Sequence, residues 1–571
     1  LVLKPRLRDW FAHSFLKGNS LTDTLDRPAA PVSTPSAPEA GNGQPAPAWT
    51  WQPYAIVFIS NACIMVLELT AGRIVAPHVG VSLYTWTSII GIVLAGISLG
   101  NYIGGRLADR RGSLRLLGIL FLLSGLTSFG VLAVDLIGNR LPAGWPVIGQ
   151  IVALVTVLFF APSLVLGAIS PVVAKLAVRD LATTGAIVGK IYAAGTVGSI
   201  VGTFATGFVL ISWFGSTAIV WGVALVLIGM GLIFLGAGRP RAIVAAGLVV
   251  VLGLAGAQAA GWLASRCTLE TNYFCIRVRE EQRAGQPVRV LVLDRLVHSY
   301  SSLEDPTLLV YGYEQLYAQL VRYQAQGSGD PSALFIGGGG YTFPRYMEAL
   351  YPDSAIDVIE IDPGVTQVAY DMLGLSREGR IRSFNEDARL VMARPPERRY
   401  DLIMGDAFND FSVPYHLTTH EFNQRVRAWL DEDGLYLVNI IDGPTANFLR
   451  AYVRTLRQTF DYVYLAPTQA AWRETPRSTF VVIASDTPLD LERLAASAAA
   501  DSSRAIGPLL MSDQQLDSLL AEGRQIILTD GYAPVDQLLA PAFRNYLPAA
   551  SAPASTTPTP PSSTPARVQG S

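Results

Sequence analysis

The chain has 571 residues, half of them hydrophobic and 15% charged, with a formal net charge of −2. That length allows two or three domains, and the lack of a long basic stripe argues against electrostatic capture of nucleic acid. The apolar content is unevenly placed: residues 54–262 hold almost all the long uncharged runs, whereas 276–545 have the mixed composition of a soluble domain.

Residues 1–50 begin with a short basic, aromatic-bearing stretch, LKPRLRDWFAHSFLKG, and continue into a linker rich in Pro, Ala and Ser. The first part suits either an anionic membrane face or a disordered tail, and the second reads as flexible. The first long apolar run starts too late to be a signal peptide. A spanning helix needs ~20 mostly apolar residues. Seven candidates follow within 51–264, near 54–76, 84–107, 114–136, 147–174, 185–212, 216–236 and 241–263. GIVLAGISLGNYIGG and AAGTVGSIVGTFATG carry small residues three to four apart, which lets helix backbones approach closely. Pro162 and Pro171 predict a kink in the fourth candidate. Cys63 lies in an apolar run and reads as inert packing. Glu68 and Arg73 lie five apart in the first span, and either line a path for a cationic or lipid-linked compound or pair internally to fix helix packing.

Basic residues cluster in alternate connections. Arg106, Arg110, Arg111 and Arg115 lie between the second and third spans, Lys175 and Arg179 follow the fourth, and Arg239 and Arg241 follow the sixth. The other connections are nearly bare, apart from Arg140. The positive-inside rule then places the even-numbered connections and the N-terminus in the cytoplasm of an inner, multi-pass membrane. Seven spans put the soluble domain on the far side, whereas a cytosolic nucleoside ligand favours the cytoplasmic side, so its side stays open. Cys267 and Cys275 flank CTLETNYFC, and either pair in an oxidising compartment or stand as two free thiols.

From 265 to 330 the pattern changes. YFCIRVRE and VRVLVLD read as a small N-terminal β-unit, and VYGYEQLYAQLVRY as a helix leading onward. Over 331–545 strands alternate with helical stretches: ALFIGGG, AIDVIEID, DLIMGDA, GLYLVNII, DYVYLAP and STFVVIA are the strand candidates. This alternation predicts a Rossmann-like, doubly wound and mainly parallel sheet, with ligands outside the carboxyl ends of the strands. Residues 546–571 are Pro/Ser/Thr-rich and read as disordered.

The strand ends carry the candidate site. Gly337, Gly338 and Gly339 end the first strand, where they either let the backbone approach a ligand or simply make a turn. Glu360 ends the next strand about 20 residues on, where a carboxylate accepts both hydroxyl protons of a ribose. The full dinucleotide fingerprint is missing, so a nucleoside without pyrophosphate fits better than NAD. Asp362 beside it reads as a solvated or capping acid. Asp387, after the third strand, either accepts from an adenine amino group or caps a helix. Asp406 ends the fourth strand, as a general base, a holder of a cationic amine, or a structural acid. Asn409 and Asp410 on the same loop are placed to line an acceptor site.

These residues, in this order, resemble the spermidine synthase (polyamine aminopropyltransferase) family, and 54–543 resembles its membrane-fused branch. The match runs through LDRLVHS, GYE, FIGGGG, VIEID, EDAR, DLIMGDAF, VPYHLTTHEF and LTDGYAPVDQL, with GGRLADRRG in the helical half. The resemblance implies an S-adenosylmethionine-methyltransferase-type α/β fold, decarboxylated S-adenosylmethionine as donor and a polyamine acceptor. It also implies that Glu360 holds the ribose, Asp387 the adenine, and that Asp406 is the base. Glu314 and Tyr313 would face the acceptor amine, and His298 the donor. The expected partners are a small-molecule amine and a lipid bilayer, with a homodimer left open; no metal and no nucleic acid are expected.

The sequence departs from the family at defined places. Gly340 stands where the family has an acid facing the donor's amine end, and Tyr341 where it has a glycine. Tyr313 stands in a His position and His298 in a Gln position, and the loop after Asp406 lacks the usual Asp-Ser-Ser-Asp-Pro. The donor is therefore either decarboxylated S-adenosylmethionine or S-adenosylmethionine itself. Two further readings remain: transfer of another group, and a transporter or sensor whose soluble domain binds polyamine or nucleoside without turnover.

Overall fold

The computed structural model describes residues 51–142, 145–178, 181–236, 239–407, 413–498 and 505–544. Its first half is a helical bundle: α1 (Gln52–Val79), α2 (Leu83–Arg111), α3 (Leu114–Gly138), α4 (Val147–Ala177), α5 (Thr184–Trp213), α6 (Ser216–Leu235) and α7 (Pro240–Ala259). Among the described residues six of these, α1 to α6, are long and apolar enough to cross a membrane, not the seven expected. The seventh helix forms over Pro240–Ala259, 20 residues, and Ile243–Ala259 is its described apolar stretch. At ~1.5 Å per residue the whole helix is about 30 Å long, the thickness of a hydrocarbon layer. Pro240 and Arg241 occupy its first turn, and Gly261, at φ 71°, lies just beyond its end.

The small residues do what their spacing predicts. A Cβ at Gly104 of α2 would lie 2.5 Å from the Ala168 carbonyl oxygen of α4, and one at Gly202 of α5 would lie 2.6 Å from that of Ala62 in α1. Backbones this close tolerate no larger residue. The α4 helix breaks at Ala168, between segments Val147–Gly167 and Ile169–Ala177. Pro171 has no N–H for the carbonyl four residues back, which favours the break there.

The second half begins with a four-stranded antiparallel sheet, β1 (Leu269–Glu270), β2 (Cys275–Arg283), β3 (Gln286–Leu293) and β4 (Leu296–Ser302). Cys267 and Cys275 form a disulfide at its edge, and Cys63 is a buried free thiol. Helix α8 (Gly312–Ser328) leads into a seven-stranded sheet of order β10-β11-β9-β8-β5-β6-β7. Its members are β5 (Ala333–Ile336), β6 (Ile356–Ile359), β7 (Arg382–Phe384), β8 (Tyr400–Gly405), β9 (Leu430–Asp442), β10 (Tyr462–Pro467) and β11 (Ser478–Ser485). Strands β5 to β9 are parallel, and β11 inserts antiparallel between β9 and β10. The strands read as unbroken apolar runs because both faces are covered: Leu334 and Ile336 join one core, Ala333 and Phe335 the other.

The two halves meet at one end of the bundle. Arg73, near the end of α1, does not pair with Glu68 in its own helix. It donates to the Asn272 carbonyl at 2.8 Å and to that of Thr271, and faces the Glu270 carboxylate at 3.6 Å. Glu270 also accepts from the Ser216 N–H that opens α6, at 3.1 Å. Arg266 pairs with Asp135 of α3 at 3.0 Å, Ser212 of α5 donates to Asn272 at 3.1 Å, and Asp536 accepts from the first N–H of α2, on Leu83, at 3.2 Å.

Candidate active site

Parallel strands deliver their carboxyl ends to one edge of the sheet, and the side chains just past those ends share that edge. β5 ends in a glycine turn. Gly337 has φ 100°, and a Cβ there would lie 2.5 Å from the Asp406 carbonyl oxygen, so only glycine fits this crossing of β5 and β8. β6 ends at Glu360, which is 6% exposed. Its carboxylate accepts the Gly338 N–H at 2.8 Å, the Gly339 N–H at 3.3 Å and the Asp362 N–H at 2.9 Å. Burial nevertheless pushes its pKa upward, with these backbone donors opposing the shift. Two carboxylate oxygens carry about four acceptor positions, so the group keeps capacity for a ligand hydroxyl.

Asp387 follows β7. One oxygen caps the short helix α9 (Ala388–Val391) by accepting the Arg389 N–H at 2.7 Å, and the other faces His416 Nε2 at 3.5 Å. The capping reading of this residue is thus realised on one oxygen only. Arg389 donates to the His416 carbonyl and to Thr419 and pairs with Asp530. This gives the late LTDGYAPVDQL stretch a role: it braces the wall that carries His416.

Asp406 follows β8. It accepts the Tyr313 hydroxyl at 2.7 Å on one oxygen and the Asn439 side-chain amide at 2.8 Å on the other. Burial raises its pKa while both hydrogen bonds lower it, and burial wins. Asn439 comes from β9, and its own carbonyl oxygen is buried without a partner.

Gly337, Gly339, Glu360, Asp387, Asp406 and His298 line one cavity of about 110 Å³. Phe274, His416 and Leu417 also line it. Gly338 contributes its N–H to Glu360 without lining the cavity. Tyr313 stands behind Asp406. Glu314 also lies outside the wall: it accepts the Tyr311 N–H at 3.1 Å at the start of α8 and is 3% exposed. Burial pushes its carboxyl up to about 8, with the nearby Asp406 adding to the shift. Asn409 and Asp410 lie outside the described residues.

The Gly340 departure has a steric explanation. A Cβ there would lie 2.7 Å from Ser299 Cβ and overlap the Ser299 hydroxyl, so the serines of β4 fill the place of an acid. Tyr341 does not enter the cavity. It is fully buried at φ 54° with its hydroxyl 3.0 Å from Thr366, and its ring lies behind Gly338.

The second and larger cavity, about 660 Å³, lies where the bundle meets the soluble half. Phe274 lines both cavities, and Arg73, Glu270 and Asp294 line the larger. Sequence reading missed Asn439, His416, Phe274 and Arg389. His416 and Arg389 lie within the VPYHLTTHEF and EDAR stretches and Asn439 is a lone amide in an apolar strand, whereas Phe274 left no local signal.

No family model matches the chain. It is 28% identical over 214 residues to the polyamine aminopropyltransferase of Vibrio vulnificus (strain CMCP6), covering 36% of this chain and 69% of that protein. It is 26% identical over 456 residues to polyamine aminopropyltransferase 2 of Streptomyces coelicolor (strain ATCC BAA-471 / A3(2) / M145), covering 74% of this chain and 78% of the relative. The crystal structure of a probable spermidine synthase from Corynebacterium glutamicum ATCC 13032 aligns with a TM-score of 0.41 at 19% identity, over 46% of this chain and 95% of that one.

Proposed function

We propose that this member of the spermidine synthase (polyamine aminopropyltransferase) family moves an aminopropyl group from decarboxylated S-adenosylmethionine to a small-molecule amine, while its helices hold it in a lipid bilayer. The observation that carries this is the convergence of Glu360, Asp387 and Asp406, from three successive parallel strands, on one cavity floored by a glycine turn. A nucleoside fits that set. Glu360 keeps an acceptor position for a ribose hydroxyl, the Asp387 oxygen that faces His416 suits an exocyclic amino group, and Gly337 and Gly339 present bare backbone.

The chemistry asks little covalent help of the protein. The amine lone pair attacks the methylene carbon beside the sulfonium, the C–S bond breaks, and its electron pair stays on sulfur to give the neutral thioether. The proton lost by the nitrogen goes to Asp406. Its raised pKa brings it nearer the acidity of the ammonium it must relieve. Tyr313 and Asn439 hold both oxygens, so the carboxylate is oriented before the amine arrives. Glu314 serves this reading as the cap that fixes the start of α8, where Tyr313 sits.

The test is mass spectrometry of products from the purified full chain given donor and mixed polyamines, with calorimetry against both donor forms. Aminopropylated product with loss of donor binding in Glu360→Ala supports the proposal. Tight binding of only the non-decarboxylated donor redirects it to transfer of another group, and donor binding without product points to a binding module.

A further inference from the structure

The bundle has two ends, and they differ in charge. One end carries the connections α2–α3, α4–α5 and α6–α7. Arg106, Arg110 and Arg111 lie there, with Lys175 paired to Asp109 at 3.0 Å and Arg239 and Arg241 opening α7. The other end carries α1–α2, α3–α4 and α5–α6, where Arg140 is the lone arginine or lysine of the connections. Every contact described above between the two halves falls at this second end: Arg73 late in α1, Leu83 opening α2, Asp135 late in α3, Ser212 late in α5 and Ser216 opening α6. The soluble half therefore docks on the end opposite the arginine-rich connections. Helix α7 runs from the arginine end to the docking end, since Arg266 just beyond it reaches Asp135 and the Leu132 carbonyl.

We infer that the catalytic half of this protein faces the non-cytoplasmic compartment. The inference rests on the bilayer reading above. Short connections rich in Lys and Arg stay in the cytoplasm, which fixes the arginine end and, through the docking geometry, the opposite side for the soluble half. The Cys267–Cys275 disulfide, at the junction itself, is an independent observation, since such bonds persist in oxidising compartments and are rare in the cytosol. The consequence is a place in a reaction sequence. A permanently charged sulfonium does not cross hydrocarbon unaided, so a translocation step must supply the donor to this cavity, or the donor must be made on that side.

The test is cysteine labelling of the full chain in intact cells with a membrane-impermeant maleimide. Glu397→Cys is exposed in the soluble half and Ala182→Cys is exposed in the α4–α5 connection, whereas Cys63 is buried and gives no background. The expected result is labelling of Glu397→Cys in intact cells, and of Ala182→Cys only after permeabilisation. A requirement for permeabilisation at Glu397→Cys overturns the assignment. Carbonate washing separates the two claims: a chain retained in membranes with the reverse labelling loses only its side, while a chain released to the soluble fraction loses the bilayer reading too.

Discussion

Replacing Asp406 by Asn tests the chemical step with little disturbance of the fold. The amide oxygen of the variant can still accept from Asn439, now 2.8 Å away, and the Tyr313 hydroxyl, at 2.7 Å, can rotate to accept from the new NH₂ group. What disappears is the proton acceptor. General-base assistance is typically worth ~10²–10⁴-fold in rate, or about 3–5 kcal/mol of barrier. A purely structural acid would show a different pattern: roughly 1.5–3 kcal/mol of folding stability lost with its charged hydrogen bonds, and unchanged turnover per folded molecule. The assay is the rate of thioether nucleoside release at saturating amine, followed across pH beside a melting curve. Because Asp406 must be ionised to act and its pKa lies above the ordinary carboxylate range, wild-type turnover falls as pH drops through that raised value, and the variant lacks this limb. Turnover within fivefold of wild type, with a preserved acidic limb, would refute the reasoning.

Glu314, pushed up to about 8, binds a proton in the folded state that the unfolded chain has released by pH 5. Stability should therefore fall by up to about 1.4 kcal/mol per pH unit between pH 5 and 8, and thermal melting of Glu314→Gln should show that slope flattened. Arg73→Ala removes the donors that hold the Thr271 and Asn272 carbonyls. Thr271 donates to Asp362 at 2.5 Å, and the Asp362 N–H reaches Glu360. Loosening that chain should raise the KM for donor about tenfold, the effect of losing ~1.4 kcal/mol, with kcat within threefold; a fall in kcat at constant KM would contradict it. Changing both Cys267 and Cys275 to Ser opens a short covalent loop with sequence separation 8 and should lower stability by about 2–3 kcal/mol, read as a drop in Tm equal to that of the wild type under reductant.

Most of the sheet was legible because its strands are apolar runs broken by acids and glycines at their ends, and that local pattern also located Glu360 and Asp406; Asp387 follows β7, three residues with no apolar run. The glycine spacing in the helices was legible for a similar reason: small residues three or four apart mark a contact face whatever the partner. Partners brought from far away were not. Arg73 looked like a neighbour of Glu68 but reaches a loop nearly 200 positions later, and nothing near it in the chain encodes that distance. Glu314 is expected at the acceptor from its place in the GYE motif; the helix start sets its carboxylate against the Tyr311 N–H, outside the cavity wall, a contact the motif does not encode. The seventh helix forms where the apolar stretch placed it, with a prolyl start at Pro240 and Gly261 just beyond its end, details that an apolar run alone does not encode.

The crowding of Gly340 by β4 has a bearing on attempts to retune this protein. Grafting a carboxylate onto position 340 alone would force strand β4 aside rather than create a new recognition point. A workable graft has to trim Ser299, and Ser301 with it, in the same clone, so the two segments form one heritable block. Libraries that randomise the glycine turn by itself will mostly return misfolded chains, whereas libraries that vary both segments together can reach new donors.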